Sequence, residues 1–277
     1  MGKHLVHSLI ADKHDVTIAT RGITPDDFSC SVKRVIIDRS SSDSIRNVLS
    51  ESKYDVVYDN LVYCSNDVKV ILDNLTCEKY IFLSSTAVYD KHHDIREDEY
   101  NPSRKSLVWC NRYDFPYDEA KRQAECAIAH EYPHIKYIAA RFPFVLGIDD
   151  YTKRLYFYIE NILNKKPMFI DNYENQMSFV RSDEAGKFLA FLAACTFNGA
   201  INGASEQTIS IKEIADYVKV KTGKSAIISS KGNEAPYNGE KEYSINTNLS
   251  KSLGFSFTPL KNWIFELIDY YIKSANS

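Results

Sequence analysis

Apolar and polar positions alternate between two periods along the first half of the chain. Leu5, Val6, Leu9 and Ile10 recur at the three-and-four spacing of one helical face, which predicts a helix over residues 2–13. Asp15-Val-Thr-Ile-Ala19 follows as a short buried strand. The same rhythm then predicts strands over 32–37, 55–58, 79–83 and 135–140, and helices over 45–50, 68–75 and 117–131. Strands that alternate with helices must pair in parallel through right-handed crossovers. The sequence therefore predicts an α/β protein on a doubly wound, Rossmann-like parallel sheet. After Gly147 the rhythm changes. Residues 151–163, 183–194 and 211–221 read as helices separated by irregular Gly, Asn and Pro segments, notably 229–242. This predicts a first domain over 1–146 and a smaller lobe over 147–277, some segments of which return to the core.

One expected element is missing from the pattern. Doubly wound domains that bind dinucleotides open with a strand, a glycine-rich turn and a helix. Here Met1-Gly2 leads straight into the helix, and Gly2 stands where the last glycine of such a turn would be. Without a central first strand, backbone groups on both neighbours lose their partners. The expectation is a start codon placed too late or a truncated gene. The alternative is a natural pseudo-enzyme with a rearranged sheet.

Composition narrows the classes. A chain of 277 residues with 44% hydrophobic and 13% aromatic content can bury a substantial core. A net charge of -3 gives no global reason to expect nucleic acid. Cysteines 30, 64, 77, 110, 126 and 195 include no C-x-x-C pair, so neither a zinc site nor a disulfide framework is expected. No signal region and no long apolar span is present, and a soluble cytoplasmic protein that binds no metal and no membrane is expected.

The candidate chemistry lies in Phe82-Leu-Ser-Ser-Thr-Ala-Val-Tyr89 and in Pro116-Tyr-Asp-Glu-Ala-Lys121. Tyr117, Tyr132, Tyr217 and Tyr237 each have lysine four residues on, so the spacing alone selects nothing. Tyr117 is set apart because it opens a helix and follows a strand tipped with hydroxyls. On a helix, Lys121 then shares a face with it. A free tyrosine has a pKa near 10, and ionising it near neutrality costs about 4 kcal/mol. A nearby ammonium and the positive ring of an oxidised nicotinamide both favour the phenolate. A hydroxyl from Ser85 or Thr86 could hold a substrate oxygen against the phenol.

With Arg141-Phe-Pro-Phe-Val-Leu-Gly147 and Phe179-Val-Arg-Ser-Asp-Glu-Ala185 added, the chain resembles an extended short-chain dehydrogenase/reductase of the NAD-dependent epimerase/dehydratase group over nearly its whole length. The resemblance implies a dinucleotide-binding domain followed by a substrate lobe. It implies Ser85 as the hydroxyl that orients the substrate, with Thr86 a close second, and Tyr117 as catalytic acid/base. Lys121 would bind the nicotinamide ribose and lower the tyrosine pKa, and Pro143 would lie near the nicotinamide. Gly2 falls at the phosphate turn. Arg21, where NAD-specific relatives usually carry an acid, points toward a 2′-phosphate and so to NADP over NAD. Asp38 resembles the position that contacts the adenine amino group. Arg154 could hold an anionic substrate group, against a reading in which Asp150 or Thr152 merely caps the helix entry. Asp183 is expected to cap the helix it begins.

Departures matter too. Thr86-Ala87 stands where dehydratases carry Asp-Glu, which argues against dehydration. Phe144 replaces the asparagine of many sugar-nucleotide epimerases, which argues against a nucleotide sugar. His92, His93 and Glu97-Asp-Glu99 lie in a long gap before Tyr117 and read as a solvated loop or a substrate flap. Two functions follow. One is a NAD(P)-dependent oxidoreductase or epimerase acting on a carbinol or carbonyl of a sugar-like small molecule. The other is a non-catalytic sensor or scaffold of the same fold, or a truncated inactive member. A homodimer through the helices near 65–76 and 117–131 is expected by family analogy.

Overall fold

Residues on β4 (Thr76–Ser85) alternate between two cores, and that alternation explains the layered architecture. Tyr80 and Phe82 pack on one side of the sheet, and Ile81 packs on the other. The computed structural model describes residues 1–50 and 52–275. Its N-terminal half runs α1 (Gly2–Ala11), β1 (Thr17–Thr20), β2 (Lys33–Ile36), α2 (Ser42–Leu49), β3 (Lys53–Asp59), α3 (Ser65–Leu72), β4, α4 (Tyr117–Glu131) and β5 (Lys136–Phe142). Next come β6 (Phe144–Leu146), α5 (Arg154–Leu163), β7 (Pro167–Phe169), β8 (Phe179–Arg181) and α6 (Ser182–Ala194). The chain ends through β9 (Gly199–Asn202), α7 (Ile211–Thr222), β10 (Ile227–Ile228), β11 (Asn233–Glu234), α8 (Asn248–Ser252) and α9 (Ile264–Ala275).

The main sheet has the order β3-β4-β5-β9 and is wholly parallel, with Ser84 opposite Arg141 and Ser85 opposite Phe142. Its two faces are covered by different helices, as a buried parallel sheet requires. Leu5 and Leu9 of α1 and Phe188 and Leu189 of α6 join Ile81, Ile138 and Ala140 on one side. Ile45, Val68, Ala124 and Ile128 join Tyr80, Phe82 and Ala139 on the other. This is the doubly wound, Rossmann-like α/β fold. A separate parallel pair, β1-β2, is not hydrogen-bonded to β3, and among the described residues no strand connects the two sheets.

A third cluster gathers Tyr158, Ile159, Met168, Phe179, Tyr237, Trp263 and Ile264, around which β6-β8 and β10-β7-β11 form small parallel sheets. Two of the boundaries that differ from the pattern bear on the site. β4 extends two residues further, through Ser84 and Ser85, because its ladder with β5 continues and Ser84 Oγ finds an acceptor in Glu125. α5 begins at Arg154 rather than 151, since Asp150 accepts from the Thr152 amide and hydroxyl and Lys153 adopts a left-handed φ of 52°. Among the described residues no helix is long and apolar enough to cross a membrane.

Candidate active site

The predicted site residues follow the C-terminal ends of successive parallel strands. Arg21 follows β1, Asp38 follows β2, Ser85 ends β4 and Pro143 follows β5. Open α/β sheets bind ligands at this edge. Ser85 caps a single 3-10 turn over Thr86–Val88, where its hydroxyl oxygen accepts from the Ala87 amide at 3.2 Å. Thr86 is buried beside Tyr243, whose hydroxyl donates to the Ser178 carbonyl at 3.2 Å. Ser85 is therefore the hydroxyl of the pair that meets Tyr117.

Tyr117 is the first residue of α4, preceded by Pro116, whose fixed φ suits a helix entry. The residue is 52% exposed. Partial desolvation of the phenol, on a residue half open to solvent, raises its pKa above the ordinary 10, and Tyr63 adds to this, while the Ser85 hydroxyl, Arg154 and Arg112 pull it down. The sum keeps it a neutral phenol at pH 7. Lys121 lies one turn on, with Nζ 5.8 Å from the Tyr117 ring centroid and 5.1 Å from that of Tyr63. It is 4% exposed, and its ammonium donates to the carbonyls of Val62 and Leu83. Burial brings its pKa down to about 8, although Asp59, Glu125 and Asp67 favour the charged form.

Two guanidinium groups flank this centre electrostatically. Arg154, the first residue of α5, lies over the Phe144 ring at 5.4 Å. It also lines a pocket of about 340 Å³ with Lys153, Tyr156, Glu160 and Pro236. Arg112 stacks on Tyr63 at 3.7 Å. The sequence reading missed Arg112 because it lies in a loop with no periodicity, and only the fold brings it to Tyr117. Neither arginine has a carboxylate partner among the described residues. The long gap is anchored at several points. His92 pairs with Glu99 and His93 with Glu242, both at the surface, whereas Glu97 turns inward to accept from the Asn202 amide.

A dinucleotide fits the chain's polar groups at two further places. The N-terminus of α1 has no side-chain cap and no acidic residue in its own first turn, which suits phosphate oxygens, but the Asp149 carboxylate lies against it, 3.4 Å from the Met1 amino group and 3.1 Å from His4 Nε2, and a phosphate there would have to displace it. A Cβ on Gly2 would come within 3.2 Å of Asn60 Nδ2, so the glycine keeps that approach open. Asp38 is held below its ordinary range by bonds from the Ser40 hydroxyl and amide, against burial, with Arg21 close enough to help. Asp183 sits in the first turn of α6, paired with Arg181, and the helix starts one residue earlier, at Ser182.

No protein-family model matches the chain. A chloroplast stem-loop binding protein of 41 kDa (b) from Arabidopsis thaliana is 33% identical over 105 residues, a match spanning 33% of this chain and 28% of that protein. Among solved structures, MoeE5 in complex with UDP-glucose and NAD aligns over 100% of this chain and 96% of its own at TM-score 0.73 and 18% identity. UDP-glucuronic acid 4-epimerase from Bacillus cereus in complex with NAD covers 100% and 96% at 0.72 and 17%. UDP-glucose 4-epimerase from Thermotoga maritima covers 99% and 96% at 0.72 and 15%. At these identities the likeness establishes the fold alone.

Proposed function

We propose that the chain is a NAD(P)-dependent epimerase or oxidoreductase of the extended short-chain dehydrogenase/reductase family, acting on a carbinol or carbonyl of a sugar-like substrate. The observation that carries this reading is that Ser85, at the end of β4, and Tyr117, at the start of α4, come together so that the Ser85 hydroxyl favours the phenolate, with Lys121 buried 5.8 Å from the phenol ring. The solved neighbours, several bound to NAD and to nucleotide sugars, support it. Phe144 still argues against a nucleotide sugar here, and those ligands belong to the neighbours.

A bound nicotinamide would supply the hydride acceptor or donor. The chain's own residues would handle the proton. Ser85 would hold the substrate oxygen beside the phenol. As found, Tyr117 is a phenol and can donate its proton to an oxygen that becomes a carbinol. In the reverse direction it must first ionise, which Arg112 and Arg154 favour and burial opposes. Lys121 spends two of its three N–H groups on the Val62 and Leu83 carbonyls, which leaves the third to donate to a ribose hydroxyl. We assign the cofactor phosphates to the α1 N-terminus near Gly2, Pro143 to the nicotinamide side and Arg154 to an anionic substrate group. Arg21, near Asp38, favours NADP.

Calorimetric titration with NADP and NAD, followed by NAD(P)H-linked turnover of a panel of free sugars and their keto forms with UDP-glucose and UDP-glucuronic acid as comparison substrates, tests the reading. Cofactor binding with turnover that Tyr117→Phe abolishes is the expected result. Equal turnover by both forms refutes the role of Tyr117, and no cofactor binding favours the scaffold alternative. The Arabidopsis likeness supports a second reading, binding of structured RNA, against which the net charge of -3 argues. Fluorescence anisotropy with a labelled stem-loop RNA separates the two.

A further inference from the structure

Three residues of α4, each one turn from the next, grip three consecutive residues of β4. Lys121 donates to the Leu83 carbonyl at 2.8 Å, Glu125 accepts from the Ser84 hydroxyl, and Tyr117 lies where the Ser85 hydroxyl favours its phenolate. Residues at i, i+4 and i+8 share a helix face, so the three contacts form one ladder. Its deepest member is also the most constrained. Glu125 is fully buried and holds Arg141, itself fully buried, through two parallel hydrogen bonds, one of them 2.9 Å from Nε to Oε1.

Arg141 lies opposite Ser84 in the sheet and uses every one of its N–H groups. Besides the two to Glu125, it donates to the Tyr89 hydroxyl at 2.7 Å, the Glu97 carbonyl at 2.9 Å and the Tyr100 carbonyl at 3.0 Å. Tyr89 passes the chain of bonds on to Asn202 Oδ1 at 2.8 Å. The pair thus ties α4 to the strand that ends at Ser85 and to the segment that leaves it.

A buried ion pair is a poor way to gain stability, since well-packed apolar residues of similar volume often do as well or better. What a saturated, bidentate pair gives is a single permitted register. We propose that Glu125 is a positioning residue for the proposed proton transfer: held in place by Arg141, it sets the slide of α4 along β4 through the Ser84 hydroxyl, and so the placement of the Tyr117 phenol against Ser85. This rests on the reading of Tyr117 as acid/base, but its test does not need turnover.

Fluorotyrosine placed at position 117 reports the phenol's ionisation by fluorine NMR against pH. Ser84→Ala removes the hydroxyl contact and leaves the ion pair; Glu125→Gln removes the charge. In folded protein, judged by circular dichroism, Ser84→Ala is expected to move the titration midpoint by about half a pH unit or more as the Ser85 contact loosens. Ser84→Thr, which keeps a hydroxyl, should restore it. An unmoved midpoint in folded Ser84→Ala protein overturns the proposal even if Glu125→Gln fails to fold. Whether Tyr117 is the acid/base is read separately, from turnover of Tyr117→Phe.

Discussion

Lys121 stands 5.8 Å from the Tyr117 ring centroid, yet its hydrogen bonds go to the backbone carbonyls of Val62 and Leu83. Its charge is therefore buried among carbonyl oxygens beneath the phenol, and burial has brought its pKa from 10.5 to about 8.

A pH dependence of stability follows from that shift. Between about 8 and 10.5 the unfolded chain holds the lysine proton and the folded chain has lost it. Unfolding then takes up a proton, so stability rises with pH across this window. Below it, the buried ammonium imposes its full cost, on the order of 3 kcal/mol. Urea denaturation of the wild type and of Lys121→Met should show the difference between them moving in favour of the wild type as pH rises through the window. A difference that stays constant would mean that the ammonium is not desolvated as described.

Tyr117→Phe should lower turnover by about 10²-fold or more, the usual contribution of a positioned acid or base, with cofactor affinity unchanged. The direction of the phenol's shift adds a sign. Because its pKa lies above 10, carbonyl reduction should hold level through neutral pH, and carbinol oxidation should climb as pH rises toward ionisation. Initial rates in both directions across a pH series check this. A falling oxidation rate on the alkaline side would assign the proton to another group.

Much of this arrangement was legible in the pattern of residues. Periods of two and 3.6 predicted the helix over 117–131 at its observed bounds and the β3, β4 and β5 strands of the main sheet. The part that was not legible depends on long-range packing. β9 has four residues and gains its identity only by pairing with β5. α9 has apolar residues at Ile264, Leu267, Ile268 and Tyr271, a helical period that the reading passed over. Within the site, Tyr117 and Lys121 follow from their placement at a helix start after a hydroxyl-tipped strand, whereas Ser85 over Thr86 comes from the family resemblance. That Thr86 turns to Tyr243, or that Arg112 reaches Tyr63, depends on loop geometry that no periodicity encodes.

Gly186→Ala should destabilise the protein although alanine is the better helix former. A Cβ there would lie 2.5 Å from His4 Cβ and 2.7 Å from the Leu5 backbone nitrogen. The helix-propensity gain is about 1 kcal/mol, whereas overpacking costs about 1–3 kcal/mol, and a backbone atom cannot rotate aside. α1 must move off α6 to make room, so the penalty should win. A lower thermal midpoint for Gly186→Ala checks this, and an unchanged one would show that the two helices are less closely packed.

Glu213 links acid stability to the packing around α7. It closes the capping box of α7 with Ser210, and its carboxylate takes Lys261 Nζ at 2.8 Å and Gln176 Nε2 at 2.8 Å. Burial pushes its pKa up, but these hydrogen bonds and that from the Ser210 amide outweigh it and bring the value from 4.5 to about 2. A lowered carboxylate contributes stability that is present above 4.5 and is lost as pH falls from there toward 2. The group is partly open to solvent, so screening keeps the effect within about 1 kcal/mol. Thermal midpoints followed down through this range should fall more steeply for the wild type than for Glu213→Gln. Added salt should narrow the gap, because it screens the Lys261 pair. Parallel curves for the two proteins would mean that the carboxylate gains nothing from these bonds on folding.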